Sequence, residues 1–270
     1  MIIDCHTHVK WFGYNPEDVV RNMDRIGVDK AWALTWQEVD GGLCSNYEHL
    51  SPQSVMAAAR RWPDRFIPFC GIDPRRERAE QILRELVEQG CRGYGELKVR
   101  LMYDNPDCIR MYDLCAELGL PVLVHIDVPL PNVDFWYGGS VDALERAMVK
   151  CPRTRFIGHG PGFWREISGS ASRSRKLYPS GRVTPGGKVQ KLLQRYRNFH
   201  ADLSGGSGLN ALKRDPRHAR RFLEKHHRRL LYGTDCYNRL LLDFLESLDL
   251  PKRVLGSILW RNAARLVPLG

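Results

Sequence analysis

The chain has 270 residues, 43% of them hydrophobic, and 41 basic against 31 acidic side chains give a formal net charge of +10. That length suits one α/β barrel of about 250 residues as well as it suits two smaller domains. No apolar run approaches the roughly 20 residues that cross a bilayer, and the first probable strand begins at Ile2, where no leader segment is expected before it.

In chain order, apolar character and β-branching predict strands over roughly 2–6, 30–35, 65–71, 92–97, 121–126, 154–159, 198–203 and 229–234. Helical periodicity fills the intervals. Pro16 to Ile26 follows Asn15 and carries Glu17 and Asp18 in its first turn. Ala79 to Gln89 places Ile82, Leu83, Leu86 and Val87 on one face and stops at Gly90. Cys108 to Leu118 stops at Gly119, and Val141 to Val149 stops before Pro152. Leu240 to Leu248 and Val254 to Leu266 complete the set. Strands alternating with helices imply parallel pairing, because a parallel connection needs a crossover. Eight such units predict a (β/α)8 TIM barrel, a single domain over residues 1–270. A doubly wound open sheet is the rival, but its dinucleotide-binding form should show GxGxxG where His6-Thr7-His8 stands.

Two connections are long: Asp127 to Gly139 after the fifth strand and Gly160 to Gly187 after the sixth. Both leave the end of the barrel where active sites form, so they read as lids or specificity walls. The serine-rich part, Ser168 to Lys176, is expected to be mobile. Trp11, Phe12, Phe135, Trp136, Tyr137, Phe163 and Trp164 follow strands one, five and six. They are candidates for an aromatic pocket wall, with loop packing or a subunit contact as the alternatives.

The basic excess gathers in Arg75-Arg76-Glu77-Arg78 and in Lys213 to Arg229, which reads as an amphipathic helix with a solvated face. No RNA-binding signature or zinc-finger spacing accompanies it, so the expected partner is a small molecule, with anions preferred. Neither nucleic acid nor a membrane is expected, and a homo-oligomer is left open. Eight scattered cysteines without a CxxC pair read as reduced thiols of a cytoplasmic protein.

Chemistry-bearing residues stand at the predicted strand ends. His6 and His8 are two apart and so share a face, offering two nitrogens to one cation. His125, His159 and Asp235 end strands five, six and eight. Each alone has a bland reading, as a satisfied core histidine or a helix-capping aspartate. All five at matching ends of barrel strands point to a metal site. Glu96 ends strand four, and Lys98 lies on the same side. Either the two form a salt bridge, or Glu96 spans two cations. Ser204-Gly205-Gly206-Ser207-Gly208 after strand seven reads as a flexible turn, with anion binding as the sharper alternative.

These motifs make the chain resemble the amidohydrolase superfamily, within it the large amidohydrolase 2 group. Asp4-Cys5-His6-Thr7-His8 matches the first-strand HxH, and His125, His159 and Gly233-Thr234-Asp235 match the motifs of strands five, six and eight. Asn262-Ala263-Ala264-Arg265-Leu266 is similar to the group's last helix. The resemblance implies that His6, His8 and Asp235 bind a first metal. In one-metal members His125 would join them and His159 would act catalytically. In two-metal members Glu96 would bridge, and His125 and His159 would hold the second ion. It also implies metal-assisted hydrolysis of an amide, ester or lactone, or nonoxidative decarboxylation of an aromatic or unsaturated acid.

For hydrolysis, Asp235 would move the proton of the attacking water, and His159 would hold a metal or stabilise the oxyanion. Lys98, if free at the mouth, would hold a substrate carboxylate, with Arg239 and Trp136 as further substrate contacts. Histidine with carboxylate suits zinc first, with manganese or iron as alternatives, as one ion or two.

Overall fold

The computed structural model describes residues 1–37, 39, 50–128, 136–174 and 176–269. Eight strands appear among them: β1 (Ile3–Thr7), β2 (Lys30–Leu34), β3 (Phe66–Phe69), β4 (Tyr94–Leu97), β5 (Pro121–His125), β6 (Arg155–His159), β7 (Phe199–Asp202) and β8 (Leu230–Leu231). All their pairings are parallel, in the orders β1-β2-β3 and β4-β5-β6-β7-β8. Backbone hydrogen bonds join the two groups at both seams. At the first, Cys70 N donates to Gly93 O at 3.0 Å and Arg92 N to Pro68 O at 2.9 Å. At the second, Cys5 N donates to Tyr232 O and Asp235 N to His6 O, both at 2.8 Å. The sheet therefore closes on itself as a TIM barrel, as the alternation of strand and helix predicts.

Helices cover most of the predicted stretches 16–26, 79–89, 108–118, 141–149, 213–229, 240–248 and 254–266, and helices over 52–61, 161–164, 188–195 and 205–213 join them. They are α1 (Pro16–Ile26), α2 (Pro52–Arg61), α3 (Ala79–Glu88), α4 (Pro106–Glu117), α5 (Val141–Lys150), α6 (Pro161–Trp164), α7 (Lys188–Arg195), α8 (Gly205–Lys213), α9 (Pro216–His226), α10 (Leu240–Ser247), α11 (Lys252–Gly256) and α12 (Asn262–Leu266). Asn15 and Asp18 form a reciprocal capping box at the start of α1. Between α11 and α12 the chain runs on through a wide π turn, Ser257–Arg261, so the segment predicted as one helix is one rod with a bulge. The rod is fastened to the barrel by Asn262 Nδ2, which donates to His227 O and Leu230 O. The glycine-rich stretch after β7 opens α8 and is not a flexible turn.

Ile3, Cys5, Trp32, Leu34, Phe69, Leu123, Ile157 and Leu231 pack together as the barrel's inner layer. A larger apolar shell lies between strands and helices. Strict alternation after Ile3 and Cys5 would send His6 outward. The β1–β2 register shifts between Asp4 and Thr7, and the bulge turns His6 and His8 toward the mouth. The same device acts in β4. Tyr94 belongs to the outer shell, yet a register shift before Leu97 brings Glu96 inside. The mouth is therefore built by two irregularities in otherwise regular strands.

Asp4 pins the β1–β8 seam. Its Oδ1 accepts from His6 N and Thr234 N, both at 2.9 Å, and its Oδ2 accepts from Thr234 Oγ1 at 2.6 Å. Asp4→Ala leaves two buried N–H groups unpaired and should cost about 2–4 kcal/mol. Urea denaturation would read this as a lower midpoint, and an unchanged midpoint would remove Asp4 from the seam.

Candidate metal centre

His6, His8, Glu96, His125, His159 and Asp235 meet at the mouth of the barrel. His6 Nε2 lies 3.8 Å from Glu96 Oε2 and 3.7 Å from Asp235 Oδ1. His8 Nε2 lies 3.8 Å and 3.6 Å from the same two oxygens. A cation with bonds near 2.1 Å needs tetrahedral donors about 3.4 Å apart. Each of the two imidazole nitrogens thus stands near that spacing from both oxygens; His6, His8 and Asp235 form one compact candidate group and Glu96, His125 and His159 another.

The protons on the two rings are fixed from behind. His8 Nδ1 lies 2.9 Å from Leu34 O, which can only accept, so Nδ1 carries the hydrogen. His6 Nδ1 lies 2.7 Å from Asp202 Oδ2. Both Nε2 lone pairs then face carboxylate oxygens. His6 Nε2 is buried with no hydrogen-bond partner among the described residues. An acceptor facing acceptors is unfavourable unless a positive charge stands between them. The donor set thus fits a divalent cation, and the residues that could hold it are His6, His8, Glu96 and Asp235.

A second group lies beside the first. Glu96 Oε1 is 2.5 Å from His125 Nδ1 and 3.9 Å from His159 Nε2. Glu96 therefore spans two clusters, one oxygen to each. The Glu96–His125 contact is a hydrogen bond as it stands, and His125 Nε2 meets Asp127 Oδ2 at 2.8 Å. A second cation would require His125 to release Glu96.

Asp202, on β7, is the residue that sequence reasoning missed. It is fully buried. Its Oδ2 meets His6 Nδ1, Ser204 Oγ at 2.8 Å and His159 Nδ1 at 3.1 Å. One carboxylate thereby orients the rings from β1 and β6. An aspartate at the end of a predicted strand was the available signal, and its lack of a HxH-like pattern hid it. Gly205 follows, with φ of 70°, and a Cβ there would sit 2.7 Å from Asp235 Oδ2. A side chain at this position would crowd that carboxylate.

Burial works against every charge here, and mutual pairing outweighs it. The imidazoles, His6 first, hold Asp235 at about 2. His125 and His6 hold Glu96 well below the usual carboxylate range. Asp202 and Asp235 hold the His6 imidazole well above its ordinary value. Asp235 itself adopts φ of 61°, in the left-handed region, and its side chain is 25% exposed where the other donors are sealed. It is the donor that a substrate can reach.

Lys98 makes no salt bridge with Glu96. Its Nζ stands 4.7 Å from the centre of the Trp36 ring and 5.3 Å from that of Tyr137. Burial opposes its charge, but Glu96 and Asp127 keep it protonated beyond the ordinary lysine value. Arg239, in contrast, is drawn away from the mouth. Its Nε and Nη2 donate to Asp243 and Glu246 of α10, and its Nη1 to Ile26 O. Of the predicted aromatic wall, Trp11 and the unforeseen Trp36 lie edge-on to His8, and Tyr137 to His125. Trp136 is half-buried beside Tyr137, which is the ring that reaches His125 and Lys98. Phe163 and Trp164 pack into the outer shell, Phe12 is exposed, and Phe135 lies outside the described residues.

A closed barrel carrying histidines and carboxylates at its strand ends defines a class of metal-dependent barrel enzymes. The chain belongs to the amidohydrolase family, whose amidohydrolase 2 model matches residues 3–269. No curated protein matches it. Among solved structures, 2,6-dihydroxybenzoate decarboxylase from Rhizobium is 16% identical over 98% of both chains, with a TM-score of 0.63. A probable 2-pyrone-4,6-dicarboxylic acid hydrolase from Acinetobacter baumannii, with citric acid bound, is 14% identical over 98% of both chains, with a TM-score of 0.63. A dihydroxybenzoic acid decarboxylase from Polaromonas sp. JS666, holding manganese and 2-nitroresorcinol, is 18% identical over 92% of this chain and 84% of its own, with a TM-score of 0.55. These similar folds include both a probable hydrolase and decarboxylases.

Because the proton on His6 competes with a cation for Nε2, metal affinity should fall as pH is lowered. Asp202→Asn should weaken affinity by about 10–100-fold at neutral pH. Competition against a chromogenic chelator measures both, and affinity independent of pH and of Asp202 would contradict the assignment.

Proposed function

We propose that the protein is a metal-dependent hydrolase that cleaves an amide, ester or lactone in a small carboxylate-bearing molecule. One observation carries the reading: Glu96 places one oxygen toward His6 and His8 and the other toward His125 and His159. A carboxylate so placed suits a shared cluster that activates water. His6, His8, Glu96 and Asp235 would hold the first cation, and zinc suits two imidazoles with two carboxylates. When bound, such a cation polarises the scissile carbonyl and makes water acidic enough to ionise near neutrality.

Asp235, exposed at the mouth, takes the proton of the attacking water and returns it to the leaving group. His159 Nε2, 3.9 Å from Asp235 Oδ2, faces the same space. Asp202 orients the ring from behind, and His159 stabilises the developing oxyanion. Lys98 receives the substrate's carboxylate. Its ammonium lies over two aromatic faces, and among the described residues no acid pairs with it within salt-bridge distance. The substrate is thus a small anion, and neither nucleic acid nor a membrane is a partner. No helix is long and apolar enough to cross a membrane among the described residues, and the seven described cysteines are free, which favours the cytoplasm.

A panel of carboxylated lactones, aryl esters, anilides and hydroxybenzoates tests the reaction. Hydrolysis of one of the first three is expected, and carbon dioxide release from hydroxybenzoates alone would replace hydrolysis by decarboxylation. Asp235→Asn should lower kcat by about 10²–10⁴-fold while the fold is kept. Lys98→Met should raise KM by about tenfold or more for carboxylated substrates and leave uncharged analogues unaffected. Equal effects on both would remove Lys98 from carboxylate recognition.

A further inference from the structure

The connection after β6 holds a second polar cavity that the metal chemistry does not use. Its volume is about 390 Å³, and Arg165, Lys176, Arg214, Ser170, Ser174 and Ser180 are among its lining residues. Three cations and several hydroxyls line it, and among the described residues no acid does. In the serine-rich stretch, of which Arg175 lies outside the described residues, Ser168 is a hydrogen-bonding centre. Its Oγ meets Ser170 Oγ at 2.9 Å and Thr184 Oγ1 at 3.0 Å, and accepts from Thr184 N at 3.0 Å.

The two arginines are short of partners. Arg165 is 7% exposed, and its Nη2 donates to Ala171 O and Ser174 O. Its Nε has no partner. Arg214 donates from Nη1 to Pro179 O, while its Nε and Nη2 have none. Three buried guanidinium N–H groups are thus unsatisfied among the described residues. Asp215, the neighbouring acid, is engaged elsewhere: its oxygens accept from His218 N and Val183 N. Buried guanidinium groups without an acid are costly unless an anion meets them. Arginine forks with hydroxyls suit the oxygens of a tetrahedral oxyanion, which takes more donors than a carboxylate can.

We propose that Arg165, Lys176 and Arg214 form a binding pocket for a phosphate group. Tyr178 lies in the same segment, between Lys176 and Ser180, near the first turn of α8. A Cβ on Gly206, in the first turn of α8, would lie 3.5 Å from the Tyr178 ring.

Titration calorimetry of the full chain with inorganic phosphate, metal-loaded and metal-free, tests the pocket. Saturable binding is expected in both states, with sulfate competing and acetate not. Arg214→Gln and Lys176→Gln should each weaken it by about tenfold or more, and Arg214→Lys should restore part of the loss. Lys176 is exposed, so its variant keeps the test open if the arginine variants fail to fold. Binding that vanishes with the metal, or that neither glutamine variant changes, would overturn the proposal. Metal-free binding does not depend on the hydrolase reading, so the two can fail separately. Two sources share this chemistry, a phosphate ester on the substrate and free phosphate as an effector. Competitive inhibition of phosphorylated-ester hydrolysis by phosphate marks the first. A phosphate-dependent change in kcat/KM for an unphosphorylated ester marks the second.

Discussion

Carboxylates and imidazole lone pairs converge on one buried point at the mouth of the barrel, and the surrounding structure is arranged to keep them there. Glu96 and Asp235 face His6 Nε2 and His8 Nε2 at 3.6–3.8 Å. No hydrogen atom can satisfy that arrangement while both rings carry their protons on Nδ1. Negative oxygens and lone pairs crowded out of water repel one another, and a positive charge between them, a metal cation or a competing proton on His6, reverses the sign of the interaction. Asp202 and the Leu34 carbonyl impose this condition by fixing the rings from behind. Such outer partners raise ligand basicity and hold the geometry in which a cation binds.

The fold serves this point through its irregularities. Closure of the sheet brings β1 beside β8, and the Asp4 clamp sets the turn that carries Asp235. Bulges in β1 and β4 then aim His6, His8 and Glu96 inward from strands whose earlier residues follow the opposite parity. Gly205 gives Asp235 the room it needs. Interior packing below, from Ile3 to Leu231, makes a rigid floor under the polar cluster. A site built from strand ends on such a floor changes little when loops vary, which is how one barrel serves several chemistries.

Most of the fold was legible because strand and helix periods alternate cleanly and each unit ends in glycine, proline or a capping side chain. The metal-centre donors were legible because histidine and acid at strand ends are otherwise rare. What escaped depended on three-dimensional neighbours. Asp202 carries no motif, and its importance lies in touching His6 and His159 at once. Arg239 looked suited to a substrate anion, but an i,i+4 acid and Glu246 lie closer. Lys98 could have paired with Glu96, but His125 reaches Glu96 first. Trp36 lies beyond the predicted strand end, and only closure of the barrel sets it against His8 and Lys98. The hydrogen bonds that Ser168 makes with Ser170 and Thr184 were likewise not visible in composition.

Crystals of the metal-loaded protein, measured for anomalous scattering at the zinc and manganese edges, test the central claim most directly. The account predicts a peak about 2.0–2.2 Å from His6 Nε2, His8 Nε2 and oxygens of Glu96 and Asp235. Stoichiometric metal bound elsewhere, or no peak while these four side chains keep their positions, would contradict it.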